Sequence, residues 1–463
     1  MKKDKIKYNF AVKSKEELDK LSHDELLKYV KDLQDNLIQE KPPKNSNNSS
    51  IPPSVEIVDP KNKGKNQSLR KKSDKSAGGQ KGRVGITLKQ SDTPDEIEEI
   101  PFEVKHCKKC GESLIDTVAK LKEKRQVLDI KLSSIDTQIK EYQSFSKICP
   151  VCGYDNHDNS FAKSITPNIS YGSNIIAMVS YLSVSQYMAH KRIVSLLSDL
   201  FNVNVAEGTI NSLLKKASKL SNLEIQKITI ALEKASLVGI DETGCKIDAS
   251  KHWHWTFQNS ANTLIVVDKS RGTKVINKTF ANGFKNACVV HDNYSSYSSL
   301  ECKSEQLCLA HKMRDLNYAI ESDNTKLAKG LKQLLKEAIR DDKEELTQDQ
   351  RVTLKKQYDK SLEHLLLMPT LAKSETERQV KSITKSKDKI FTFLLDKDIP
   401  ADNNGSERAI RNIKVKQKVS TQFKSFEGAV YYSNIRSIVD TSRKRGLNEF
   451  ESLTRMIEGC SVF

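Results

Sequence analysis

Two short apolar runs, Ser236-Leu-Val-Gly-Ile240 and Ala287-Cys-Val-Val-His291, are each followed at once by an aspartate, Asp241 and Asp292. Apolar runs of this length, flanked by polar sequence, read as buried strands rather than helices. Strand patterns at His252–Phe257 and Thr263–Asp268, and a helical stretch near Thr273–Phe280, lie between them. The segment therefore predicts an α/β sheet in which two strands deliver an aspartate at or just after their carboxyl ends, where side chains of such sheets converge. A third acid follows much later. Asp402-Asn-Asn-Gly-Ser406 is a run of helix N-cap formers, and the helix it launches begins Glu407-Arg-Ala-Ile-Arg-Asn-Ile413. Positions 407, 410, 411 and 414 share one face, which sets Glu407 beside Arg411 and Lys414. From Arg408 to Lys424 there are six basic residues and no acidic one, a surface suited to a DNA backbone.

Any one of these acids, taken alone, reads as a solvated loop residue or a cap. Together, on two strands and a basic helix, they match what phosphoryl transfer on a polynucleotide requires. That chemistry uses two magnesium ions roughly 3.5–4 Å apart, one activating the attacking oxygen and one stabilising the leaving oxygen. Hard carboxylate oxygens suit magnesium, and few protein ligands are needed because phosphate and water fill the other positions.

The rest of the chain divides by composition. The formal net charge of +17 over 463 residues favours a polyanionic partner. Much of that charge sits between Lys41 and Lys89, where twelve basic residues face three acidic ones amid Pro, Ser, Asn and Gly. Large apolar residues are too sparse there to offset chain entropy, which predicts a disordered basic linker over 41–90. It serves either as a solubilising tether or as a tail that slides on phosphates. Before it, residues 1–40 carry an amphipathic helix whose stripe (Leu18, Leu21, Leu26, Leu27, Val30, Leu33, Leu37, Ile38) could pair as a short coiled coil or pack on its own protein.

Residues 91–163 hold two knuckle-like pairs, Cys107/Cys110 and Cys149/Cys152, with strand-like alternation from Arg125 to Tyr142 between them. Four thiolates on that plan predict a structural zinc ribbon; neither pair has the βαβ setting of a redox motif. Residues 164–230 read as helical. Arg192–Leu200, a break at Phe201–Glu207 and a second helix from Gly208 fit a helix-turn-helix that turns Lys215 and Lys216 outward. Trp253 and Trp255 share one face of a strand, which reads first as core and otherwise as a platform for stacked bases. Cys308 and His311 share one helix face and could hold a metal, but without a second pair they read first as a buried thiol and a structural histidine. No apolar run reaches the roughly 18 residues of a spanning helix, and the N-terminus lacks the apolar stretch of a secretory signal. With nine cysteines and no such signal, a cytoplasmic protein is expected.

Taken in order, these residues resemble the transposases of the insertion sequence 66 family. The resemblance runs through Gly78-Gly79-Gln80, both knuckles, Asp241-Glu-Thr-Gly244, His252-Trp253-x-Trp255, Arg271 and Gly283. It continues in Asp292-x-Tyr294-x-x-Tyr297, Cys308-x-Ala-His311-x-x-Arg314, Asn403-Asn404-x-x-Glu407-Arg408 and Gly428-Ala429. The chain departs from the family at Gln417-Lys418-Val419, where Arg-Lys-Asn is usual, and at Met313, where a basic residue is common. The resemblance implies a multidomain α/β protein whose ribonuclease-H-like mixed sheet spans 231–314 and 396–445. A helical insertion over 315–395 would divide that sheet, and a C-terminal helix over 446–463 would follow it. It implies that Asp241, Asp292 and Glu407 form a catalytic triad of the DDE type.

On that reading Asp241 bridges two magnesium ions, for which manganese can substitute, while Asp292 and Glu407 each complete one; zinc is structural. Arg408, Arg411, Lys414 and Lys418 on the acidic helix, with Lys215, Lys216, Trp253 and Trp255, are the candidate contacts to double-stranded DNA, both element ends and target. At least a dimer is expected on DNA, since two ends need two active sites. The resemblance also implies small accessory proteins encoded beside it and a bacterial, nucleoid-associated location, with no membrane. The rival expectations are a catalytically silent zinc-ribbon regulator and a structure-selective nuclease on the same core.

Overall fold

The computed structural model describes residues 13–39, residues 171–463 except 298, 299 and 344, and short stretches between 42 and 157. The N-terminal helix expected as one piece is two, α1 (Lys15–Leu18) and α2 (His23–Gln39). The break falls at Ser22, whose hydroxyl and amide exchange hydrogen bonds with the Glu25 carboxylate and amide. A reciprocal box of this kind starts a new helix. On α2, Leu26, Leu27 and Val30 are exposed.

Strands β1 (Ser146–Ile148) and β2 (Asp155–His157) form an antiparallel hairpin bracketing the second cysteine knuckle. Cys110 and Cys152 are exposed; Cys107, Cys149 and the alternating stretch Arg125–Tyr142 lie outside the described residues. Residues 44–49, expected within the disordered linker, instead form a turn. There Asn48 is buried and donates to Glu321 Oε2 at 2.6 Å, while Asn317 donates to the Asn47 carbonyl at 2.7 Å.

Then come α3 (Ser173–Ser180), which continues into a π turn at Tyr181–Ser185, α4 (His190–Phe201), α5 (Glu207–Leu220) and α6 (Asn222–Glu233). Asn202 ends α4 in the left-handed conformation, and the Val203 amide reaches back to the Leu197 carbonyl. The Asn202 amide also returns to the Ser198 carbonyl, the 5→1 bond of a left-handed helix cap. It aims the chain into α5, whose Ile210, Leu213 and Leu214 are buried.

The central sheet has the order β5-β4-β3-β6-β7. Its strands are β3 (Leu237–Ile247), β4 (Ser250–Gln258), β5 (Thr263–Asp268), β6 (Phe284–His291) and β7 (Cys302–Leu307), with α7 (Lys274–Thr279) between β5 and β6. The first three form an antiparallel meander, while β6 and β7 run parallel to β3. β3 is longer than its apolar run suggests, so Asp241 lies within the strand and not at its end. Beyond Asp241, β4 continues to pair as far as Ile247↔Ser250, through a tight turn whose Asp248 and Ala249 both have positive φ. β7 was not anticipated. Its sequence Cys-Lys-Ser-Glu-Gln-Leu is too polar to read as a strand, and it sits at the sheet edge, paired on one side to β6.

Helices α8 (Leu309–Asp323), α9 (Lys326–Asp341), α10 (Gln348–Leu366) and α11 (Glu375–Thr384) follow, then 3₁₀ turns at Lys387–Lys389 and Thr392–Leu395. They enclose a second apolar core, in which Leu331, Leu334, Leu335 and Ala338 of α9 meet Phe391 and Phe393. The chain returns to the sheet through α12 (Asn404–Ser420), α13 (Phe426–Lys444) and α14 (Glu449–Ile457). α13 seals the other sheet edge. The Ile265 and Thr263 amides of β5 donate to Ser437 Oγ and Thr441 Oγ1 at 2.8 and 3.1 Å. Side chains thereby satisfy the unpaired row that an edge strand would otherwise present. Among the described residues no helix is long and apolar enough to cross a membrane.

Candidate active site

The parallel ladder sets the first two acids side by side. Gly239 of β3 pairs with Val290 of β6, and Asp241 and Asp292 each follow two residues later. Adjacent strands run about 4.8 Å apart, so the chain brings Asp241 and Asp292 close enough for the charge of one to act on the other. β6 stops at His291, and Asp292 turns out of the sheet with its Oδ1 accepting the Tyr294 amide at 3.1 Å. Asp241 is half-buried and its Oδ1 accepts the Glu242 amide at 2.9 Å. Burial pushes its carboxyl well above the usual range, and the negative charges of Asp292, Glu242 and Glu407 push it further.

Glu407 arrives on the first turn of α12, held against β3 by specific bonds. Asn403 is 2% exposed; its Nδ2 donates to the Ile240 carbonyl at 2.7 Å, and its Oδ1 accepts the Ser406 hydroxyl at 2.7 Å. This close approach needs a glycine at 239. A Cβ there would meet Ser406 Oγ at 2.8 Å, Asn403 Oδ1 at 2.9 Å and Gln258 Nε2 at 2.4 Å. Glu407 is half-buried and pairs with Arg314 of α8, Nη2 to Oε1 at 3.4 Å. Cys308 and His311 stand beside it. Burial pushes the Cys308 thiol up to about 12, against the pull of the His311 and Asn403 amides, and holds the His311 imidazole down at about 3.

Glu242 alternates to the other face of β3, where Arg271 Nε (2.8 Å) and the Tyr297 hydroxyl donate to it. Burial still raises its pKa against both donors. The Arg271 guanidinium lies 4.5 Å from the Trp253 ring centre and 3.8 Å from that of Tyr294. Lys312 was not singled out by its sequence pattern. It is buried on α8 and donates to Ser382 at 3.0 Å. Burial lowers its ammonium, while Asp315 and Asp292 pull it back up.

The expected nucleic-acid contacts fare unequally. Arg408, Arg411 and Lys418 are exposed along α12. Lys414 is not free: it is half-buried, and its Nζ donates to the Gly244 carbonyl of β3 at 3.0 Å. Lys215 is exposed on α5, and Lys216 is partly covered. Trp255 has to be withdrawn as a stacking platform. It is fully buried, its Nε1 donates to the Ser270 carbonyl at 3.1 Å, and its ring stacks on Phe257. Trp253, on the same strand face, stays partly open because it lies two residues nearer the hairpin turn, with Lys251 4.9 Å from its ring.

The described residues form a mixed α/β protein around a five-stranded mixed sheet, in which the charges of Asp292 and Glu407 reach Asp241. The family described as Transposase IS66 family matches residues 168–431, more than half of the chain, and the chain belongs to that family. Membership supports a transposase role, which implies DNA as a partner. A comparison with curated proteins gives no match.

Proposed function

We propose that the chain cuts and joins the ends of its insertion sequence by a DDE mechanism, with Asp241, Asp292 and Glu407 holding two magnesium ions. The observation that carries this reading is that Asp241 and Asp292 each follow by two residues the paired Gly239 and Val290 of adjacent parallel strands, near enough that Asp292 and Glu407, brought in by α12, raise the Asp241 carboxyl. Crowded carboxylates that raise one another's proton affinity form a set that hard divalent cations neutralise, so the donors fit magnesium or manganese. When bound, the metal pair activates the attacking oxygen and stabilises the leaving oxygen. The protein's own work is positional. Asn403 and Gly239 fix where Glu407 stands, Arg314 orients its carboxylate, and Lys312 offers a cation beside Asp292.

The sheet order, an antiparallel meander followed by two parallel strands, supports a ribonuclease-H-like core interrupted by the α8–α11 region. The hairpin β1–β2 around Cys149 and Cys152 supports a zinc ribbon closed by Cys107 and Cys110. The α4–α5 pair supports a helix-turn-helix reading element ends through Lys215 and Lys216, with Arg408, Arg411 and Lys418 on phosphate. The exposed Leu26, Leu27 and Val30 of α2 support pairing of two copies on DNA.

The test is Asp241→Ala, assayed by cleavage of labelled element ends in magnesium. Loss of cutting with retained end binding is expected; undiminished cutting removes the assignment.

A further inference from the structure

Next to the three acids stands a donor set of different chemistry. Cys308 occupies the N-cap position of α8, His311 follows on its first turn, and Glu407 reaches both from α12. One ligand atom from each, Sγ, a ring nitrogen and a carboxylate oxygen, lies within 4.8 Å of the others. Bond lengths of about 2.3 Å to sulfur and about 2.0–2.2 Å to nitrogen and oxygen put the ligand atoms of tetrahedral zinc roughly 3.3–3.8 Å apart. A contraction of at most about 1–1.5 Å per pair therefore closes the set.

Two further features point to a ligand here. His311 Nδ1 is buried and has no hydrogen-bond partner among the described residues, although buried ring nitrogens are ordinarily paired. Cys308 is fully buried with its sulfur accepting the Asn403 amide at 3.2 Å, which fixes the sulfur as an acceptor and presents it to the cluster.

We propose that Cys308, His311 and Glu407 form a binding site for a soft, zinc-like divalent cation, adjoining the proposed magnesium set through their shared Glu407 and separate from the cysteine knuckles. Thiolate and imidazole select zinc over magnesium by softness, and three protein ligands leave a fourth position for water. Arg314, 3.4 Å from Glu407, serves as the counter-charge when the cation is away. Because Glu407 belongs to both donor sets, zinc here competes with magnesium for its carboxylate. That competition rests on the proposed catalytic role of Glu407; the binding of zinc does not.

The experiment measures zinc per folded chain by mass spectrometry in full-length wild type, Cys308→Ser and His311→Gln, purified side by side. Wild type is expected to hold one zinc more than either variant, whatever the knuckles contribute. Equal zinc in wild type and His311→Gln overturns the site. Cys308 is buried and its variant can misfold, so His311→Gln is the deciding protein, with circular dichroism confirming its fold. Cobalt substitution gives the second measurement: the spectra of wild type and His311→Gln must differ, and identical spectra also overturn it. None of these outcomes depends on whether Asp241→Ala cuts DNA.

Discussion

Replacing Asn403 by alanine tests whether the fold, and not the acid alone, makes the site. The side chain is 2% exposed and makes two bonds of 2.7 Å, one to the Ile240 carbonyl and one from Ser406. Alanine leaves the Ile240 carbonyl without that donor in a closed interface, and an orphaned buried group of this kind costs ~1–3 kcal/mol. Ser406 loses its acceptor but keeps the Gln258 amide at 3.3 Å, so it adds only a fraction. The sum is a loss of about 1.5–3.5 kcal/mol. Asn403→Asp is nearly the same size but sets a carboxylate oxygen against the Ile240 carbonyl, beside the already crowded Asp241, and is expected to be the worse of the two. Urea unfolding followed by tryptophan fluorescence is the assay. Both tryptophans of the chain, Trp253 and Trp255, lie on β4 and report on this sheet. End cleavage should also fall in the folded variant, because Glu407 loses its register. A stability change under about 0.5 kcal/mol, or an aspartate variant as stable as wild type, would refute the reasoning.

Two further outcomes follow from the charges. Burial and its acidic neighbours raise the Asp241 carboxyl, so above the usual carboxylate range the native state keeps a proton that the unfolded chain has released. Stability then falls as pH rises toward the raised native value and levels off beyond it. Asp241→Asn should therefore melt higher than wild type at neutral pH in chelator, with the advantage gone in acid. Magnesium at a hundred times its Kd should stabilise wild type by ~2.7 kcal/mol and the variant far less; identical melting of the two proteins in both conditions contradicts the crowding. On the DNA side, Lys215→Ala with Lys216→Ala should weaken end binding and lower the salt slope by roughly 1.8 if both touch phosphate. An unchanged slope in filter-binding titrations removes α5 as a reader.

The resemblance of the motifs in their order to insertion sequence 66 transposases is matched by the family found over residues 168–431. Local pattern also located the strand that holds Asp241, the strand that ends just before Asp292 and the helix that brings in Glu407, since each is written in residues close together in sequence. β7 escaped because an edge strand can be polar on both faces. The break between α1 and α2 escaped because a Ser-x-x-Glu box overrode a continuous apolar stripe. Lys312 and Glu242 carried no signal of their own, because their importance comes from what packs against them.

The chain by itself therefore determined which acids exist, which strands and helix bear them, and which family the motifs resemble. Only tertiary structure decided that Gly239 and Val290 pair two residues ahead of Asp241 and Asp292, that Lys414 is tied to the sheet while Arg411 is exposed, and that Trp255 is buried while Trp253 is partly open. It also brought Cys308 and His311 onto Glu407, across nearly a hundred residues of sequence. The reason is that periodicity is a property of neighbours along the chain. Register, burial and the field at a carboxylate depend on distances between segments, which are set only when the two cores close.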